Sequence, residues 1–298
     1  MTALRYSTIS FLSDYGRQDE FVGVVHSVLR SMVPDVGVID ITHDVPRHDV
    51  RAGGLALARS AQYLCPGVVL AVVDPGVGTA RRGLAIEVGD GESVLVGPDN
   101  GVLAPAVAMV GGATRAVTLT NTDYHLPAPG PTFDGRDVFA PVAAALCQGI
   151  DLAELGEPID ANSLTPGLLP VAREENGELL GEVMWVDAFG NAQLNLDPDD
   201  IDGWGDVIRV RIGDEARPAT RVHTFADIGD GQVGLIVDSY GLLAIALDRR
   251  SAASELGARG GVEIGLSPID GADGQASGGV DVAVSLSEPR RSTPGTDA

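Results

Sequence analysis

The chain has 298 residues, 44% of them hydrophobic, and a formal net charge of -22 at pH 7. That length buries a large core and favours two domains, while the charge disfavours nucleic acid or an anionic membrane surface as a partner. No apolar run approaches the ~20 residues that a membrane helix needs. The chain opens into a strand-like run without a basic or long apolar leader, so a soluble, cytoplasmic protein is expected. Cys65 and Cys147 lie in apolar surroundings without metal-ligand spacing, and buried free thiols are expected at both.

In chain order, residues 8–12 read as a strand and Ser13-Asp14-Tyr15-Gly16 as the turn after it. Residues 19–32 follow as a helix with Phe21, Val24, Val25 and Leu29 on one face. Next come a strand at 36–41, an Ala/Leu-rich helix at 49–63, and a continuous apolar strand at 68–73 ended by Asp74-Pro75-Gly76. Strands at 84–88 and 93–96 and a helix at 136–148 complete the first half. Such alternation argues for an α/β domain over residues 1–157, its mainly parallel sheet covered by helices on both faces. A Pro-, Glu- and Asn-rich stretch over 158–176 reads as a linker.

From 177 to 268 the pattern changes to short apolar runs between Gly and Asp, at 181–186, 207–212, 222–225, 233–237, 242–246 and 262–266. Regular short strands with intervening turns argue for a mostly antiparallel β domain. One helical stretch is expected at 251–256. Residues 269–298 are rich in Gly, Ser, Ala and Asp and read as a disordered tail.

Two segments concentrate the chemistry: Thr132-Phe133-Asp134-Gly135-Arg136-Asp137, and Val73-Asp74-Pro75-Gly76-Val77-Gly78 with Arg81. Each places a carboxylate at a Gly-marked turn, after an apolar run or before a helical one. In an open α/β sheet ligands sit there, outside the carboxyl ends of the strands. The pattern is that of the active-site face of a small-molecule enzyme.

These segments join Ser13-Asp14-Tyr15-Gly16 with Asp19, Asp40-Ile41-Thr42-His43, Gly97-Pro98-Asp99-Asn100-Gly101, Asp187-Ala188-Phe189-Gly190-Asn191 and Ser239-Tyr240-Gly241. In this order, over roughly residues 7–268, the motifs resemble the S-adenosylmethionine hydrolases, or SAM hydroxide adenosyltransferases, relatives of the bacterial fluorinase and chlorinase. The resemblance implies SN2 attack by water on C5′ of the ribose, giving adenosine and methionine. It implies a C-terminal β-barrel-like domain and a homotrimer with sites between one subunit's N-domain and its neighbour's C-domain. No metal or cofactor is expected, S-adenosyl-L-methionine being the substrate.

Water is a poor nucleophile, whereas a sulfonium departs as a neutral thioether and needs no general acid. Catalysis must therefore orient water and exclude bulk solvent. The resemblance assigns that work to Asp74, Arg81 and a His in the Thr-Phe-His-Gly-Arg-Asp motif, where this chain has Asp134. Three accounts stay open. Asp134 replaces the His and shares Arg81 with Asp74; or Asp74 does most of the work; or the protein binds nucleosides without turnover.

Asp14 can accept both ribose hydroxyls, or simply close an Asx-turn or cap a helix. Asp19 receives the substrate ammonium or caps the first helix. His48 stacks on the ribose, where the halogenases have an aromatic residue, or is a surface His; His43 is assigned a structural hydrogen bond. Asp187 reaches the ammonium and Asn191 an adenine edge, unless both merely build a turn. Ser239 suits the methionine carboxylate or the ribose, and Tyr240 stands where the fluorinase has Arg. Trp185 and Trp204 read as packing residues. A halogenase is disfavoured because a fixed carboxylate at the nucleophile's station repels an anion. A divalent-metal hydrolase lacks clustered His or Asp-x-Asp ligand spacing.

Overall fold

A computed structural model describes residues 4–269. The tail expected over 269–298 lies, but for Ile269, outside the described residues.

The first half runs β1 (Thr8–Ser13), α1 (Phe21–Met32), β2 (Gly37–Thr42), α2 (Val50–Ala61), β3 (Val68–Val72), β4 (Gly83–Val88), β5 (Ser93–Pro98), α3 (Ala104–Met109), β6 (Arg115–Thr118), α4 (Ala140–Cys147) and β7 (Glu157–Pro158). Its strands form one sheet in the order β2-β1-β3-β5-β4-β6-β7. Pairing is parallel from β2 through β1 and β3 to β5, then antiparallel through β4, β6 and β7.

All five residues of β3 are buried, as a central strand covered on both faces requires. Successive side chains of a strand point to opposite faces, and two cores result. Val68, Leu70 and Val72 pack with Val25 and Leu29 of α1 and with Val142 and Leu146 of α4. Val69 and Ala71 pack with Leu57 of α2 and with Ala106 and Val107 of α3. The helix expected at 136–148 opens instead as a π-turn over Gly135–Phe139 before α4 begins.

The second half comprises β8 (Arg173–Glu175), β9 (Glu178–Val186), β10 (Ala192–Leu194), β11 (Val207–Ile212), β12 (Glu215–Val222), β13 (Val233–Val237), β14 (Leu243–Leu247), α5 (Ala252–Glu255) and β15 (Glu263–Pro268). The strand order is β10-β14-β13-β12-β11-β15-β9-β8, and a β9–β10 pairing closes seven of them into a barrel. The strand expected at 222–225 is displaced: β12 ends at Val222, and Phe225 starts a 3-10 turn. Arg51 of α2 pairs with Glu182 of β9, and the Arg59 guanidinium lies 4.3 Å over the Trp185 ring, so α2 contacts the barrel. The thiol expectation holds for buried Cys147, pushed up to about 12 by burial, but Cys65 is exposed. Cys65 lies in the turn after α2, beyond the cover of either core.

Candidate active site

From β1 the chain crosses through α1 to β2 on one side, then returns through α2 to β3 on the other. Adjacent parallel strands whose connections leave in opposite directions open a crevice at their carboxyl ends. Asp14 follows β1 there and Asp74 lies just past β3, with Ser13 paired to Val72. The loop carrying Asp74 turns back through Gly78, whose φ is +76°; a Cβ there would sit 2.5 Å from the Pro131 carbonyl oxygen. Only glycine permits that approach, and it docks the Asp74–Arg81 loop against the segment that begins Thr132-Phe133-Asp134.

Arg81 joins the two carboxylates. Its Nε donates to both oxygens of Asp74 at 3.0 Å, and its Nη2 donates to Asp74 Oδ2 and to Asp134 Oδ2. The side chains are 6% exposed at Asp74, 14% at Arg81 and 21% at Asp134, so solvent screens the group weakly. Burial alone would lower the Arg81 pKa. The hydrogen bonds Arg81 donates to Asp74 and the charges of Asp74 and Asp134 outweigh it and raise the value. Two carboxylates against one guanidinium leave one net negative charge.

This group belongs to a cleft of about 270 Å³ that Asp14, Asp19, His48, Asp74 and Asp134 also line. Its aromatic wall is Tyr15, Phe21 and Phe133, with Phe133 edge-on to the other two at 5.6 and 5.0 Å. Asp14 Oδ2 accepts the His48 backbone N–H at 2.9 Å. His48 has φ +66°, which presents it at the rim before Asp49 caps α2. The capping reading fails for Asp19: the residue before α1 is Glu20, and no side chain caps that helix. Sequence reasoning gave no site role to Tyr15, Phe133 or the cleft's Arg47, and it placed Phe21 only on the apolar face of the first helix; the available signal was that Tyr15 and Phe133 each stand beside a motif Asp.

His43 has the structural bond expected of it, with Nδ1 2.8 Å from Ser13 Oγ. Its Nε2 is 3.0 Å from Asp40 Oδ1, though poorly aligned, and His26 Nε2 hydrogen-bonds the same oxygen at 2.8 Å. The fold thus gathers His26, Asp40 and His43 from α1 and the β2 region, a cluster the spacing had not revealed. None of the three lines the cleft.

The barrel residues gather elsewhere. Asp187 Oδ1 accepts the N–H groups of Phe189 and Asn191, both at 2.9 Å, and Oδ2 accepts Asn191 Nδ2 at 2.8 Å. Asp238 repeats the device, with Oδ1 accepting from Tyr240 at 2.9 Å and Leu242 at 3.2 Å. The repeat was visible in sequence as Asp187-Ala-Phe-Gly190 and Asp238-Ser-Tyr-Gly241, although Asp238 was overlooked. These loops, adjacent through the β10–β14 pairing, frame a second cleft of about 440 Å³ lined by Asp187, Asn191 and Ser239. Tyr240 turns to the other side of Trp185, 6.1 Å between ring centres, beside Arg59. Trp204 packs against the barrel core as expected, whereas Trp185 lines the second cleft. Within one chain the two clefts share no lining residue.

Residues 9–156 match the SAM hydroxide adenosyltransferase N-terminal domain and residues 181–265 its C-terminal domain. The chain belongs to that family. A relative from Salinispora tropica, named (R)-S-adenosyl-L-methionine hydrolase, is 46% identical over 84% of this chain and 93% of its own. A fluorinase from Actinopolyspora mzabensis is 27% identical over 86% of this chain and 95% of its own. Among solved structures, an uncharacterized conserved protein from Thermotoga maritima superposes with a TM-score of 0.80 at 34% identity, covering 87% of this chain and 99% of that one. Family members thus include a hydrolase by name, with the fluorinases at greater distance.

Proposed function

We infer that this protein hydrolyses S-adenosyl-L-methionine to adenosine and L-methionine. The observation that carries the reading is the pair of carboxylates, Asp74 and Asp134, bound to one guanidinium in a cleft that Asp14 also lines. Water held by that pair attacks C5′ in line with the C–S bond. As the O–C bond forms, the C–S electrons leave on sulfur and methionine departs as a neutral thioether. The proton lost by the water passes to the carboxylate pair, with Asp134 the assigned acceptor. Arg81 holds Asp74 in one orientation, so aiming the water costs little reorganisation during the reaction. The leaving group arrives already cationic, so no metal or cofactor is required.

Asp14 keeps Oδ1 for the ribose hydroxyls while Oδ2 holds the His48 turn. His48 covers the ribose from the rim and Asp19 takes the ammonium. At the barrel end Asn191 and Ser239 are assigned to the adenine and amino-acid ends. Asp187 contributes its remaining lone pairs, since its oxygens already hold their loop. Tyr240 flanks that cleft. Because the two clefts are separate in one chain, we assign the complete site to one subunit's cleft meeting its neighbour's barrel in a homotrimer. Domains 1–157 and 177–268, joined by 158–176, are the units proposed, with the cytoplasm as the compartment. Among the described residues no helix is long and apolar enough to cross a membrane.

The test is product analysis after incubation with S-adenosyl-L-methionine, with and without halide and with a chelator present. Adenosine and methionine are expected in all cases. A 5′-halo-5′-deoxyadenosine product would place the protein with the halogenases, which the net negative charge at the nucleophile's station disfavours. Tight adenosine binding without turnover would make it a binder, and loss of activity in chelator would revive a metal.

A further inference from the structure

We propose that the Tyr15 hydroxyl is a further positioning group for the attacking water, and that residue 135 is glycine to admit it. The proposal rests on the hydrolase reading above. Tyr15 sits in the turn after β1, and its ring lines the cleft with Asp14, Asp74 and Asp134. Aromatic neighbours fix that ring: Phe133 edge-on at 5.6 Å, Phe21 at 5.7 Å and Phe11 edge-on at 6.4 Å. A phenol so wedged has one direction in which to extend. Its oxygen lies against Gly135, where an added Cβ would come within 2.0 Å of it.

Among the described residues no protein group hydrogen-bonds that hydroxyl; Tyr15 is engaged through its backbone N–H, which donates to Ser13 Oγ. Tyr15 is half-buried and lines the cleft, so the partner of its hydroxyl is sought there. Burial, then the charges of Asp14, Asp74 and Asp134, push the Tyr15 pKa up, and the group stays a neutral donor. Ionised carboxylates only accept hydrogen bonds, and Arg81 is already engaged by two of them. Tyr15 therefore supplies what the acidic pair lacks.

The hydrogen-bond count of the nucleophile then closes. The water donates its two protons toward Asp74 and Asp134 and accepts one hydrogen bond from Tyr15, which leaves one lone pair for C5′. The Tyr15 O–H bond stays intact throughout. The new O–C bond takes the water's lone pair, the C–S electrons leave on sulfur, and the released proton goes to the carboxylates.

Tyr15→Phe deletes the oxygen and keeps the ring. Its kcat is expected to fall about 10- to 100-fold, as for a misplaced reacting group, with KM changed by less than about 2-fold and the thermal midpoint retained. Gly135→Ala supplies a geometric control. Opposite tyrosine its Cβ meets the hydroxyl at 2.0 Å, whereas without that oxygen the nearest atom is a ring carbon at 3.1 Å. Gly135→Ala should therefore cost at least about 10-fold in kcat in the native background and little in Tyr15→Phe, a non-additivity that reports direct contact. Native kcat in Tyr15→Phe would overturn the proposal while leaving adenosine formation intact. Equal losses from Gly135→Ala in both backgrounds would do the same. Failure of the unmodified protein to release adenosine would instead remove the hydrolase reading, and the role of Tyr15 with it.

Discussion

Replacing Arg81 by Met keeps a long side chain and removes the cation between two carboxylates. Asp74 and Asp134, 6% and 21% exposed, would then stand close together with nothing between them to offset their charge. Breaking a buried pair by removing one partner costs about 3–5 kcal/mol. At about 2–4 °C per kcal/mol for a domain of some 150–250 residues, the thermal midpoint should fall by about 6–20 °C. Adding Asp134→Asn to the same variant removes one of the two like charges, and the midpoint should recover part of the loss. Calorimetry at pH 7 on the single and double variants reads both effects. A single variant within about 2 °C of the unmodified protein, or a double variant that falls further, would refute the arrangement.

Asp134→Asn should lower kcat about 100-fold, the lower end of what a positioned proton acceptor contributes, while Asp134→His should retain turnover; an Asn variant as active as the unmodified protein and the His variant would remove Asp134 from the mechanism. Gly78→Ala places a Cβ 2.5 Å from the Pro131 oxygen at φ +76°, and should cost about 1–3 kcal/mol together with kcat. An unaltered melting temperature there would mean that the two site loops are not docked through Gly78. Glu87 is held below its ordinary 4.5, first by hydrogen bonds from Arg115 at 2.9 and 2.7 Å, against the opposing effect of burial. A depressed carboxylate adds stability above its unfolded pKa and loses it as pH falls through the lower folded value. Glu87→Gln should thus be less stable than the unmodified protein at pH 7, with the gap closing below about pH 4; a gap unchanged from neutral to acidic pH would contradict the pairing.

The parallel half of the first sheet was legible because its strands are uninterrupted apolar runs ended by Gly-marked turns, as at Val68–Val72 before Asp74-Pro75-Gly76. α3 escaped notice: it has six residues and carries Pro105 in its first turn. β12 escaped because its sequence, EARPATRV, is polar and contains proline; its pairing with β11 and β13 overrides propensity. In the site, the acidic turns announced Asp14, Asp74 and Asp134, but one-dimensional order could not show that Gly78 packs them together. Nor could it show that Tyr15, in the turn after β1, extends its hydroxyl to Gly135 at the start of the π-turn before α4. Asp187 was readable both as a ligand and as a turn. The turn is what the fold builds, and Asp238 builds the same one.

Adenosine release by Asp74→Asn bears most directly on how this protein activates water. The amide keeps the shape but loses the charge and one of the two acceptor oxygens that Arg81 grips. Its kcat should fall by about 100- to 1,000-fold, with adenosine affinity held within a few-fold of the unmodified protein. Hydrolysis at full speed by that variant would contradict the account.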